Sequence, residues 1–342
     1  MVAKERESSF ELLRIISMFM VLILHADFQA LGSPTSNDIV SAPFTSAIRV
    51  FFEMASIVAV NVFVLISGYF GITTKIKGFL KFVFQCLFFS IGIYLIMILL
   101  GFTEFSLKGL FNCCYFKSDS SYWFILSYIC LYICAPILNS FIRYADKKNL
   151  IYVLISFYLF QTLFGFVTSG ASFLKNGYSP LSFLGLYLLA AFVKRHIDLR
   201  MYSRKIFING YILITTLLSI IWIVSVYLDY SFIYSRILSY LNPLVIIASL
   251  CLLLYFSKIS FKSVLVNKIA ASSFAVYLLH CHPLVYSYFL LSISNIKTTS
   301  FLVNTFSVFG AICLWFCVAV LIDFVRIFRI CFEMNKPHIS IC

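Results

Sequence analysis

The sequence predicts an all-α, polytopic integral membrane protein with about ten transmembrane helices and cytoplasmic N- and C-termini. Three observations carry that prediction. Apolar residues fill 62% of the 342 positions and charged residues only 11%, against about a quarter charged in an average soluble domain. So few charges cannot clothe a water-facing surface, which excludes a cytosolic enzyme, a nucleic-acid-binding domain and a disordered chain. The apolar residues fall in ten runs near the length of about 20 residues that a helix needs to cross a bilayer. Lys and Arg alternate in step with those runs: nineteen of the 26 lie in one set of intervening segments, six in the other, and Arg14 lies inside a run. The richer set marks the cytoplasmic side, and an odd number of spans would break the alternation. The net charge of +13 is mostly this topological signal, so no nucleic-acid partner is expected.

Taken in order, the spans are 10–31, 48–71, 79–101, 121–142, 149–168, 177–193, 206–227, 236–257, 269–291 and 300–323. The first has Ala30 and Gly32 near its end, where a signal peptide would be cut, but Arg14 interrupts the apolar core such a peptide needs. The second carries Asn61 at its middle and then Ser67 and Gly68, and the third follows the basic cluster Lys75, Lys77 and Lys81. The fourth opens on Ser121, Tyr122, Trp123 and Phe124, an interfacial aromatic belt, and closes with Pro136 and Asn139, where a kink or helix end is expected. The fifth follows Arg143, Lys147 and Lys148, and the sixth is short and starts near Pro180. Arg204 and Lys205 precede the seventh, and Lys258 and Lys262 follow the eighth. The ninth runs outward from Lys268 through Tyr277, His280 and His282 to Pro283, and the tenth leads into a short basic tail, 324–342. The longest loop, around Gly101–Ser120, is too short for a soluble domain, and no internal repeat is evident, so residues 1–342 form a single membrane domain. Eleven cysteines are scattered, with one vicinal pair at Cys113 and Cys114, and neither CxxC nor Cys/His metal spacing occurs. Neither a disulfide framework nor a metal site is therefore expected.

Ionisable residues inside a membrane are costly and mark candidate functional sites. The first span holds Glu11, Arg14 and His25. Eleven residues at about 100° each bring Arg14 and His25 to within about 20° of one helix face, about 16 Å apart along the axis. Glu11 is placed to pair with Arg14 along the helix. Each residue has a plainer reading: Arg14 as a snorkelling anchor, His25 as a packing histidine bonded to a neighbouring helix. Their shared face favours a polar path through the bilayer. His280 reaches about the depth of His25 from another helix, so the two could form one site, while His282 can simply mark a helix end before Pro283. Asn61 and Gly68 share a face best read as close helix packing. Glu53, four residues after Arg49, is expected to pair with it.

Four stretches, in order, resemble the acyltransferase-3 family of membrane-embedded O-acyltransferases, most closely its stand-alone bacterial members of surface-polysaccharide pathways. FELLRIISMFMVLILHADF resembles the family's opening helix, with an acidic residue, Arg14 and His25. VNVFVLISGYF, from Val60 to Phe70, is similar to its second-helix element ending in Ser-Gly-aromatic. YWFILSYICLYICAPILN, from Tyr122 to Asn139, and SFAVYLLHCHP, from Ser273 to Pro283, resemble its Trp-Phe-Leu with Pro-x-Leu-Asn pattern and its late Tyr-Leu-x-His element. One departure concerns a pair of arginines that the family commonly carries after its second helix. Here Gly78 falls at the first of those positions and Lys81 at the second, and Lys offers a point charge rather than a bidentate fork.

The resemblance implies a cytoplasmic acyl-CoA donor, expected to be acetyl-CoA, and an acceptor hydroxyl on a surface polysaccharide or polyprenyl-linked oligosaccharide. It implies a multi-pass protein of the bacterial cytoplasmic membrane, in contact with membrane lipid and working beside glycan-assembly proteins. On that reading Arg14, Lys77 and Lys81 receive the donor's phosphates. His25 is the first candidate for general base and His280 the second, orienting the acceptor or stabilising charge. Glu11, Asn61, Ser67 and Trp123 are supporting residues. Ser67 lies too far toward the cytoplasm to meet an external acceptor, so no covalent nucleophile is nominated and direct transfer is the simpler scheme. The competing reading is a lipid-linked glycan flippase without acyl-transfer chemistry. A separate outer enzyme that takes over the acyl group is a further alternative.

Overall fold

A computed structural model describes residues 7–116, 122–168, 170–296 and 301–334, with the side chains of 301 and 329–334 left aside. Among these residues there are α-helices, short 3-10 and π-type turns, and no strand. Lys4, Arg6, Lys117, Ser121, Lys297, Lys336 and the end of the expected tail lie outside the described residues, as does the Arg329 side chain.

The helices run in chain order as follows. Helix α1 (Ser8–Leu24) opens into a wider π-type turn, His25–Gly32. Short α2 (Ser36–Ser41) is closed by a capping box in which the Thr35 hydroxyl and amide hold Asp38. Those bonds keep the Asp38 carboxyl below the usual carboxylate range. The second span is two helices in series, α3 (Pro43–Ser56) and α4 (Ala59–Phe70). Then come α5 (Ile76–Leu99), α6 (Leu107–Cys114), α7 (Trp123–Tyr144), α8 (Lys147–Phe160) and α9 (Pro180–His196). The remainder is α10 (Arg204–Tyr227), α11 (Ser231–Ile237), α12 (Pro243–Ser257), α13 (Val264–His280), α14 (Tyr286–Ser294) and α15 (Phe301–Met334).

Among the described residues, seven segments are long and apolar enough to cross a membrane: Ser8–Gly32, Pro43–Phe70, Ile76–Leu99, Trp123–Tyr144, Lys147–Val167, Arg204–Tyr227 and Leu302–Phe328. The chain is thus a multi-pass membrane protein. The sixth, eighth and ninth predicted spans correspond to α9, α12 and α13, helices of 15 to 17 residues. At about 1.5 Å per residue each falls short of a hydrocarbon core of about 30 Å.

Four boundaries differ from the sequence reading. The eighth helix starts at Pro243 rather than near 236, because the Asn242 side chain accepts the Leu244 N–H (3.0 Å) and Pro243 takes the first helical position. The ninth predicted span, 269–291, is broken. Helix α13 stops at His280, two residues before the position that Pro283 bars from the helix, and α14 restarts at Tyr286. Helix α7 does not end at Pro136 but runs through it to Tyr144, where the Arg195 guanidinium donates to the carbonyls of Ile142 and Arg143. Residues 324–334, assigned to a tail, continue α15.

Beside two small apolar clusters around Leu174 and Phe207, two large ones dominate the interior. One joins α4, α9 and α12 through residues such as Leu65, Tyr187 and Leu253. The other joins α1, α13 and α15 through Leu22, Val276 and Phe316. Large apolar side chains on the outer faces of the spans, such as Leu99, Ile137 and Phe328, are exposed where lipid would lie. Helices α1 and α13 pack side by side and run parallel. Ser8 Oγ donates to Asn267 Oδ1 (2.9 Å) and accepts the Ser263 N–H (2.9 Å), joining the starts of the two helices. Both helices are 17 residues long, so their far ends, His25 and His280, arrive at the same level.

Candidate active site

Between the two large apolar clusters lies a cavity of about 620 Å³. Its walls draw Leu24, Ile57 and Val60 from one cluster and Met18, Val21 and Tyr277 from the other. Met18, Val21 and His25 continue at helical spacing the face on which Arg14 lies, so the cavity follows the shared face of α1. Aromatic rings dominate the wall: Phe28, Trp123, Phe124, Tyr178, Tyr240, Tyr277 and Tyr286. Trp123 meets Tyr178 edge-on at 4.5 Å between centroids and stacks on Tyr240 at 6.2 Å.

His25 and His280 meet at this wall. His25 Nδ1 lies 3.1 Å from His280 Nε2, and His280 Nδ1 lies 2.5 Å from the Val276 carbonyl. A carbonyl only accepts, so His280 carries its proton on Nδ1 and presents a lone pair at Nε2. That lone pair accepts the Nδ1–H of His25 and leaves the His25 Nε2 lone pair free. Among the described residues no hydrogen bond engages His25 Nε2. His25 is half-buried and His280 buried. Cys281, the residue after His280, joins them: its Sγ is 3.2 Å from His280 Nε2 and 3.7 Å from His25 Nδ1.

These three residues hold ligand atoms within 4.8 Å of one another and have the donor types of a metal site. The expectation of no metal site rested on spacing along the chain. A cluster drawn from residues 255 positions apart leaves no such trace.

The other predicted residues are placed as follows. Arg14 pairs with Glu11 (2.5 Å), as the three-residue spacing implied. Lys77 and Lys81 sit exposed on the first turns of α5, away from the cavity lining. Asn61 is buried and donates to the Tyr240 carbonyl (3.2 Å), tying α4 to the loop before α12. Ser67 bonds the Phe63 carbonyl (3.1 Å) and the Tyr128 hydroxyl (3.2 Å), not the histidines. Trp123 is part of the cavity wall rather than only of an outer belt. His282 points away, with Nε2 on the Ser90 carbonyl (3.1 Å) and Nδ1 accepting the Leu284 N–H (3.2 Å), and helps shape the turn after α13.

The expected Arg49–Glu53 pair does not form. Arg49 turns instead to Asp27 in the π-type turn (2.6 Å) and to the Gly32 carbonyl. Glu53 is left 4% exposed on the cavity wall, and its Oε2 has no hydrogen-bond partner. Glu53, Cys281 and Asp323 are the residues that sequence reasoning missed. Asp323 is fully buried in α15, where it accepts from Gln85 Nε2 (3.1 Å) and pairs with Arg326 (2.7 Å). An acid so deep in an apolar run was visible in the sequence; the roles of Glu53 and Cys281 were not, because they depend on which partner Arg49 and His280 choose.

The fold and the site define a multi-pass membrane protein built around an intramembrane cavity with a histidine pair in its wall. Residues 7–322 match the family model described as an acyltransferase domain, and the chain belongs to that acyltransferase-3 family. It is therefore a membrane acyltransferase. No curated protein and no solved structure matches it.

Proposed function

We propose that this acyltransferase moves an acetyl group from acetyl-CoA on the cytoplasmic side to a hydroxyl of a surface polysaccharide or its polyprenyl-linked precursor, in a bacterial cytoplasmic membrane. The observation that carries this reading is the His25–His280 pair at the cavity wall, with the His25 Nε2 lone pair left free. A hydroxyl attacking a thioester must lose its proton, and an unbonded imidazole nitrogen is the group that takes it. His280, fixed by the Val276 carbonyl, holds His25 in the tautomer that can do so. When His25 becomes an imidazolium, His280 Nε2 accepts a hydrogen bond from it and spreads the charge.

The cavity suits a sugar acceptor. Ring faces such as Trp123, Tyr178 and Tyr240 pack against the apolar C–H faces of a pyranose, and the free Glu53 Oε2 accepts from a sugar hydroxyl. The donor's pantetheine arm follows the Met18–Val21 face of α1 from Arg14 toward His25. Arg14, Lys77 and Lys81 supply cations for its phosphates.

The test is transfer by the purified protein in liposomes supplied with labelled acetyl-CoA and an isolated glycan acceptor. Label in the glycan as an alkali-labile ester supports the reading. Translocation of a lipid-linked glycan with no acyl transfer would replace it with the flippase.

A further inference from the structure

We propose that Cys281 carries the acyl group as a thioester between donor and acceptor, which makes the reaction two displacements rather than one. The inference rests on the acyl-CoA reading above. Three features of the geometry support it. The Cys281 Sγ lies 3.2 Å from His280 Nε2, whose lone pair is open to the thiol proton when His25 is in its Nε2–H tautomer and does not donate to it. His280 is in turn held by the Val276 carbonyl at 2.5 Å, which completes the order of nucleophile, base and orienting group that activates a cysteine. Cys281 also borders the cavity beside His25, on the first residue past α13, where the end of the helix turns it toward that space. The other described cysteines, from Cys86 to Cys317, have no such histidine pair.

The steps balance. With His25 in its Nε2–H tautomer, the Cys281 thiol gives its proton to His280 Nε2, the resulting N–H donates to the His25 Nδ1 lone pair, and the sulfur attacks the thioester carbonyl. The bond from that carbon to the CoA sulfur breaks, and CoA leaves as a thiol with the proton from His280. One thioester replaces another, so no outside energy source is needed. Once proton exchange with solvent has moved the His25 proton to Nδ1, where it donates to His280 Nε2, the acceptor hydroxyl attacks the Cys281 thioester while His25 Nε2 takes its proton. The carbon–sulfur bond to Cys281 breaks, and His25 Nδ1, 3.7 Å from the sulfur, returns its proton there, which leaves His25 in the Nε2–H tautomer that the next charging step uses. Each histidine thus serves one half-reaction, and donor and acceptor use the cavity in turn.

The same three side chains offer a His₂Cys set to zinc or copper. A metal there would occupy the thiol and is the rival outcome.

The experiment incubates the full-length protein in nanodiscs with acetyl-CoA and no acceptor, followed by peptide mass spectrometry. The expected result is one acetyl group on the Cys281 peptide, removed by neutral hydroxylamine and discharged when glycan is added. His25→Ala should charge Cys281 and fail to discharge it, whereas His280→Ala should fail to charge. Cys281→Ser, which preserves the side chain's shape, should lose transfer by more than about a hundredfold with an unchanged melting temperature. Transfer by Cys281→Ala or Cys281→Ser at the wild-type rate would overturn the relay and leave the acyl-CoA reading standing. So would stoichiometric zinc or copper that is lost only with Cys281. A wild-type protein that uses no acyl-CoA even with acceptor present would overturn both.

Discussion

His25 and His280 are 255 positions apart in the chain and 3.1 Å apart in space. That contact places a free imidazole nitrogen in a cavity wall. Replacing His25 with Ala is expected to lower acyl transfer by about 10² to 10⁴, with normal accumulation in the membrane; undiminished turnover by the purified variant would remove His25 from the chemistry. Glu53→Gln keeps the shape of the side chain but weakens its acceptor. It is expected to raise KM for the glycan while leaving KM for acyl-CoA unchanged, as measured by varying each substrate in turn. For Arg14→Ala the expectation is the reverse, a raised KM for acyl-CoA alone. At this scale the sequence was informative where residues share one helix. The Arg14–Glu11 pair and the α1 face from Arg14 to His25 follow from a rise and a rotation. It was silent where a side chain chooses between partners on different helices. Arg49 has Glu53 four residues away yet takes Asp27, because the π-type turn after α1 carries Asp27 to it.

At the scale of elements, close packing against α9 holds α4, which lends Val60 and Phe63 to the cavity wall. A Cβ on Gly68 would run into the Tyr187 carbonyl oxygen, so backbone would have to move. Gly68→Val is expected to cost about 1–3 kcal/mol or more, read as a lowered melting temperature in detergent. The Tyr187 hydroxyl accepts the Ile72 N–H (2.8 Å) and donates to Asn139 Oδ1 (2.6 Å), and Asn139 Nδ2 donates to the Ile72 carbonyl (2.9 Å). Tyr187→Phe leaves the buried Ile72 amide without that acceptor and should cost about 1–3 kcal/mol in the same measurement. The small-residue face of Asn61 and Gly68 was legible as packing, since only a residue without a side chain permits such approach. The ends of α12 and α13 were less so. Apolar content runs on through Tyr240 and past Pro283, and hydropathy does not register the Asn242 cap or the turn that breaks the ninth span.

For the whole molecule, parallel α1 and α13, tied at Ser8 and equal in length, place the histidine pair at a single depth. On the proposed orientation, with both basic-rich ends in the cytoplasm, that depth is the outer half, on the side proposed for the acceptor, and Arg14 lies on the side proposed for the donor. Epitope tags on the two termini should both resist protease added to intact cells and both be cut after permeabilisation. The membrane class was legible from composition alone, because 11% charged residues cannot cover a soluble surface. The cavity was not, because it lies between two clusters whose residues come from distant helices. The most direct test of the central claim is mass spectrometry and NMR of the surface glycan from cells with the wild-type gene, with His25→Ala, and without the gene. The account predicts one O-acetyl ester with the wild type alone, although the His25→Ala protein reaches the same level in the membrane. Full acetylation by His25→Ala, or a glycan that is identical with and without the gene, would contradict it.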